Sequence, residues 1–208
     1  MLGVFGGTFD PIHYGHLRAA LEVCQRLSLS ELRFIPAYQP VHRVPPVASI
    51  EHRVAMLELA IQGIPQFQVD KREIARGGPS YTVDTLMSLR QEFPETPLCC
   101  LVGMDAFSHI TTWHRWEKLL DLAHLVVLQR PGAMLPKTTA IEQLLTHRVS
   151  DVSLLSSTKQ GFIWIEPITL LDISATAIRQ QLALGQTPYF LLPDNVLQYI
   201  HRYKVFYQ

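Results

Sequence analysis

The sequence has 208 residues, 48% of them hydrophobic and 17% charged, with 18 Lys and Arg against 18 Asp and Glu. A balanced chain of this size builds one sizeable core. It offers no global basic field to a nucleic acid, no like-charge tail, and no run near the ~20 apolar residues of a membrane span. Three cysteines, two of them adjacent in an apolar run, read as reduced core residues rather than a disulfide framework or a CxxC metal motif. Met1 leads directly into a glycine loop instead of the basic and apolar regions of a signal peptide, so the chain is expected in the cytoplasm.

In chain order, LGVF (2–5) is a short apolar run ended by Gly6-Gly7 and predicts a buried strand. Leu17, Ala20, Leu21, Cys24 and Leu27 recur at helical spacing. LRFIPA (32–37) predicts a second strand, and residues 38–47, with Pro40, Pro45 and Pro46, a loop. Ser49 reads as the N-cap of a helix carrying Val54, Leu57 and Ile61. FQVDKREI (67–74) alternates and predicts a strand, and GGPSYTVDTLMSLRQEF (77–93) a loop feeding a helix. LCCLVG (98–103), HLVVLQR (124–130) and FIWIE (162–166) are further strands. Residues 133–160 read as a helix and a polar surface loop. SATAIRQQLALG (174–185) has an N-cap serine and a terminal glycine, and a last helix runs from Pro193 through Tyr203.

Alternating strands and helices, with several strands apolar throughout, predict an α/β chain: a Rossmann-like, doubly wound, mostly parallel sheet with helices on both faces. It reads as one domain over 1–208 with a C-terminal helical part from about 174. Ligands of such sheets bind beyond the carboxyl ends of the strands, so the loops after strands hold the informative residues.

GVFGGTFDPIHYGH (3–16) is the most informative of them. Glycines after a strand let backbone amides approach an anion, and the next helix presents its positive N-terminus. Gly3, Gly6 and Gly7 do not make the dinucleotide pattern G-x-G-x-x-G, and no Gly-Lys-Ser/Thr follows. His13 and His16, spaced i, i+3, share one face at a helix start. They can bind phosphate oxygens, ligate a metal or sit structurally. No third and fourth ligand at zinc spacing accompanies them, which favours phosphate.

GGTFDPIHYGHL, with its His13-Tyr14-Gly15-His16 element, resembles the signature loop of the nucleotidylyltransferase superfamily. ISATAIR (173–179) is similar to that superfamily's second signature at the other end of the chain. Within it the sequence resembles the bacterial nicotinate-nucleotide adenylyltransferases over nearly its whole length. PAYQPVHR (36–43), GGPSYTVDTL (77–86), GMDAF with Trp113, and LQRPG (128–132) carry this. Phosphopantetheine adenylyltransferases and cytidylyltransferases share H-x-G-H but lack GGPSYTVDTL, and a non-catalytic nucleotide sensor would be expected to lose a phosphate ligand.

The resemblance implies AMP transfer from ATP to nicotinate mononucleotide, with Mg²⁺ carried on the ATP phosphates and no dedicated metal ligands. It implies His13, His16 and Arg179 as catalytic residues. Gly6, Gly7, Thr8, Phe9, Arg43, Ile173 and Ser174 would join them at ATP, with Gly103, Asp105 and Arg130 at its adenosine end. Gly7, Thr82, Thr85 and Trp113 would meet the pyridine nucleotide; helix capping by Ser80 and Thr82 is the alternative for the first threonine. Asp10 is read either as a loop cap or as a ligand contact. No nucleic-acid or membrane partner is implied, and a homo-oligomer is compatible with the sequence. Val41 and Ala175 depart from the family pattern without removing a charge or a phosphate donor, and Met104 and Ala106 are changes beside Asp105 at the adenosine pocket.

Overall fold

A computed structural model describes residues 1–41, 44–129 and 138–207. The chain begins with β1 (Leu2–Gly7), α1 (Tyr14–Arg26), β2 (Glu31–Pro36), β3 (Gln39–Pro40), α2 (Ile50–Ile61), β4 (Phe67–Val69) and α3 (Arg72–Arg76). There follow β5 (Pro79–Ser80), α4 (Thr82–Glu92), β6 (Leu98–Gly103), α5 (Met104–Phe107) and β7 (His124–Gln129). The remainder is α6 (Thr139–Leu145), α7 (Leu154–Ser157), β8 (Ile163–Pro167), α8 (Ala175–Ala183) and α9 (Asp194–Tyr203).

Six strands form one sheet in the order β4-β2-β1-β6-β7-β8, and every pairing in it is parallel. The chain winds outward from β1 to one edge, returns beside β1 and winds to the other. This is the doubly wound, parallel α/β architecture that the alternating pattern predicts.

Each strand feeds two cores because side chains alternate across the sheet. Phe5, Phe34, Cys99, Leu101, Val126, Leu128 and Trp164 face one side, where α1, α2, α8 and α9 pack. Leu2, Val4, Ile35, Cys100, Val102, Leu125, Val127, Ile163 and Ile165 face the other, under α4, α5 and α6. Cys24, Cys99 and Cys100 are buried free thiols, and burial pushes Cys99 and Cys100 up to about 12. They act as small core residues.

Two features differ from the sequence reading. FQVDKREI is strand only over Phe67–Val69. Asp70 turns the chain there: its carboxylate accepts from the Arg72 amide at 3.0 Å and from Arg72 Nε at 2.8 Å, which starts α3 instead of extending the strand. The segment 38–47 is not all loop either. β3 pairs with β5, and the Gln39 amide donates to Ser80 Oγ at 3.1 Å, so the loop after β2 is tied to the approach to α4.

Among the described residues the sheet opens between β1 and β6. The β1–β2 register runs to Gly7 and Pro36, and the β6–β7 register to Gly103 and Leu128. Between β1 and β6 pairing stops at Val4 and Cys100. The carboxyl ends of the two central strands therefore part, and the crevice between them lies where the winding reverses.

Candidate active site

The loop after β1 fills one wall of that crevice. A Cβ on Gly7 would lie 2.8 Å from Phe9 Cζ, so only glycine lets the Phe9 ring fold back beneath the strand end. Phe9 has φ +48 and is buried edge-on against Phe5, Phe34 and His16. A left-handed aromatic residue is held only by surrounding structure, here that aromatic cluster.

Asp10 is 5% exposed and is a structural clamp. Its carboxylate accepts from the amides of Val47 at 2.9 Å and Ala48 at 3.0 Å, on the far end of the loop after β2. Of the two readings offered for Asp10, this geometry fits the loop cap.

His13 takes the N-cap position of α1 with an extended backbone and no side-chain cap, and its carbonyl accepts from the amides of His16 and Leu17. The His13 and His16 rings stack with centroids 3.7 Å apart. Gly15 makes this fit: a Cβ there would sit 3.0 Å from both Cε1 and Nδ1 of His13. The spacing H-x-G-H thus has a steric cause. No acidic residue occupies the first turn of α1, so its amides and dipole are left to favour an anion.

The C-terminal signature closes on this loop. Arg179 Nη1 donates to the Asp10 carbonyl at 2.6 Å and lies 3.6 Å from Asp10 Oδ2. A Cβ on Gly15 would lie 3.7 Å from Ile173 Cβ, and the Tyr14 amide donates to the Leu191 carbonyl at 3.0 Å. Ser174 caps α8, its Oγ accepting from the Ala177 amide at 3.3 Å, and α8 also has no acidic residue in its first turn. Two helix N-termini, two imidazoles and a guanidinium thus meet around the glycine loop.

Across the crevice, Gly103 caps α5 with open space where a Cβ would be, and Asp105 is exposed on the first turn. Tyr81 is the N-cap of α4 and makes no side-chain cap; Ser80 Oγ is occupied by Gln39. The capping alternative for Ser80 and Thr82 therefore does not hold. The Tyr81 and His114 rings lie 4.4 Å apart, which sets the start of α4 beside the loop bearing Trp113. Trp113 and Trp116 are half-buried on the second core. Thr85 is buried, donating to Glu73 Oε1 at 2.6 Å and accepting from Arg76 Nη1 at 3.3 Å, so its hydroxyl is engaged inside the protein.

The structure thus gathers Gly7, Phe9, His13, His16, Ile173, Ser174 and Arg179 about the loop that holds Gly6 and Thr8, and sets the start of α4, with Thr82, beside the loop bearing Trp113, while the Thr85 hydroxyl is turned onto Glu73 and Arg76. Arg43 and Arg130 lie outside the described residues. Sequence reasoning missed Arg53 on α2, which is 1% exposed and donates through Nη1 to the Thr8 carbonyl at 2.8 Å. The available signal was an arginine three residues before Met56 and four before Leu57, on the buried face of the helix. Among the described residues no group of three or more His, Cys, Asp or Glu is placed to hold a metal ion.

Residues 4–181 match the family model described as cytidylyltransferase-like. A "Probable nicotinate-nucleotide adenylyltransferase" from Methylococcus capsulatus is 50% identical over 97% of this chain and 97% of its own. Another of that description from Aeromonas salmonicida is 48% identical over 97% of this chain and 94% of its own. A solved Plasmodium falciparum nicotinic acid mononucleotide adenylyltransferase, complexed with NaAD, shares the fold with a TM-score of 0.76. It is 17% identical over 99% of this chain and 96% of that one.

Proposed function

We propose that this chain, which belongs to the cytidylyltransferase-like family and within it to the nicotinate-nucleotide adenylyltransferases, transfers AMP from ATP to nicotinate mononucleotide. A phosphate oxygen of the mononucleotide attacks the α-phosphorus of ATP. The bond from that phosphorus to the bridging oxygen breaks, and pyrophosphate leaves with nicotinate adenine dinucleotide as the other product. The attacking oxygen is already anionic, so no general base is required. Catalysis reduces to aligning two negative reactants and offsetting the charge that builds on the leaving group.

The observation that carries this reading is the Arg179 contact with Asp10, which draws the C-terminal signature onto the glycine loop. His16, at the start of α1, donates to the α-phosphate as it becomes five-coordinate, with His13 stacked behind it. Ser174, the α8 amides and Arg179 take the outgoing β- and γ-phosphates, with Arg43 as a further cation. Gly6, Gly7, Thr8, Phe9 and Ile173 line the nucleotide, and Gly103, Asp105 and Arg130 meet its adenosine. The indole of Trp113 stacks on the pyridine ring, and Thr82 and Gly7 face the mononucleotide. Thr85 supports that helix start through Glu73 and Arg76.

Mg²⁺, if carried in on the nucleotide, would neutralise part of the phosphate charge, with the nucleotide rather than protein carboxylates holding it. The residues fit an ion that arrives on the nucleotide: the site is rich in cationic donors, and the Asp10 carboxylate is occupied by two amides. Pyrophosphate release is the test. ATP with nicotinate mononucleotide should release it, and replacing the acid with its amide should slow release strongly. No release with either substrate contradicts the reading.

A further inference from the structure

Arg53 is a buried cation without a matching anion. It lies on α2 at 1% exposure, among the largest fully buried side chains of the protein. Its Nη1 donates to the Thr8 carbonyl, while its Nε has no hydrogen-bond partner among the described residues. No carboxylate forms an ion pair with it among those residues. Burial pushes its pKa down, and only the fields of Asp10 and Glu51 oppose that.

Asp10 does not answer for it. The Asp10 carboxylate already accepts two amides and lies 3.6 Å from Arg179. Asp10 thus pairs with one guanidinium and reaches the second only through its field, beside two imidazoles and the positive end of α1. A buried charge left in that state destabilises a folded chain, and an apolar side chain of the same volume would pack better. The arginine is explained if an anion completes the site.

We propose that Arg53 is a positioning residue for adenylyl transfer, fixing the Thr8–Phe9 turn from beneath and supplying a buried positive charge whose counter-ion is the polyphosphate of the nucleotide. The inference rests on the reaction proposed above. The peptide joining Thr8 to Phe9 is planar and trans, so its carbonyl and its N–H point in opposite directions. A guanidinium that holds the Thr8 carbonyl fixes the Phe9 N–H on the side of the peptide away from Arg53. The same charge polarises that peptide and strengthens its N–H as a donor to phosphate.

Arg53→Gln and Arg53→Lys, measured by steady-state kinetics with both substrates varied, test this. Arg53→Gln should raise KM for ATP by about 10-fold or more and change KM for the mononucleotide by less than about 2-fold, with Arg53→Lys recovering most of the loss. A folded Arg53→Gln enzyme with wild-type KM for ATP overturns the proposal. So does an equal rise in both KM values, which marks a merely structural arginine.

Tripolyphosphate titrated into wild-type protein gives an answer that needs neither variant nor turnover. The Arg53 Nε–H resonance, assigned through bonds, should shift as the anion binds, and a stationary signal overturns the proposal. Wild-type protein that binds tripolyphosphate with this shift but releases no pyrophosphate from its substrates would contradict the reaction and leave the charge pairing standing.

Discussion

His16 and Gly15 carry the sharpest predictions at the scale of single residues. If His16 stabilises the five-coordinate α-phosphorus, His16→Ala lowers kcat by about 10²–10³-fold while the melting temperature changes little. Gly15→Ala tests the same geometry indirectly. Its new methyl would stand 3.0 Å from the His13 ring, so the stacked pair must shift. A displacement of that size in a site built on alignment should lower kcat by about 10–100-fold, with the circular dichroism spectrum unchanged. An alanine variant with wild-type turnover would show that the pair tolerates misplacement.

The residues of the glycine loop were legible in the sequence because their types are chemically restricted there. Glycine leaves room for a ring, and two histidines share one face. Arg53 was not legible as part of the site. Its helical spacing to Met56 and Leu57 marks it as inward-facing, but nothing in the local pattern says that it reaches under a loop 45 residues away.

Arg90 and His124 act on elements rather than on chemistry. Arg90, on α4, gathers the carbonyls of Phe93, Thr96, Leu122 and Lys159 at 2.7–3.0 Å, joining the ends of α4, β6 and β7 away from the crevice. Arg90→Met leaves those acceptors unpaired and should cost about 2–3 kcal/mol in urea unfolding. Turnover per folded molecule at low temperature should be preserved.

His124, 0% exposed at the start of β7, accepts from the Phe162 amide at Nδ1 and sits 3.1 Å from the Thr158 carbonyl at Nε2. Both contacts are satisfied by the neutral ring with its proton on Nε2. Burial depresses its pKa, with the backbone carbonyls opposing. Below about pH 6.5 the unfolded chain therefore takes up a proton that the folded chain resists, so stability is present above that pH and is lost as pH falls. Nuclear magnetic resonance titration of His124 should give a midpoint below 6.5, and urea unfolding should shift to lower denaturant between about pH 6.5 and 5.

At this scale long elements with a clear period were readable, and short ones were not. α5 has four residues and α3 five, too few to show helical spacing, and the β3–β5 ladder pairs two residues on each side across 40 positions of chain. Each is set by tertiary contacts, as with Asp70 drawing the Arg72 amide into α3.

At the scale of the whole molecule, the parallel sheet was foreseeable because LCCLVG and HLVVLQ are apolar on both faces and need cover on each. The strand order was not, since local pattern does not say which strand lies beside β1. The order places the glycine loop and the GMDAF turn on opposite sides of the gap between β1 and β6. α8 and α9 then pack on the first core and deliver Arg179 to the loop that begins the chain.

A crystal structure with a non-hydrolysable ATP analogue tests that convergence most directly. The account predicts the triphosphate at the open end of β1, with imidazole nitrogens of His13 or His16 and the Arg179 guanidinium each within about 3.2 Å of its oxygens. A triphosphate seated elsewhere, or one touched by the histidines while Arg179 stays on Asp10 alone, would contradict it.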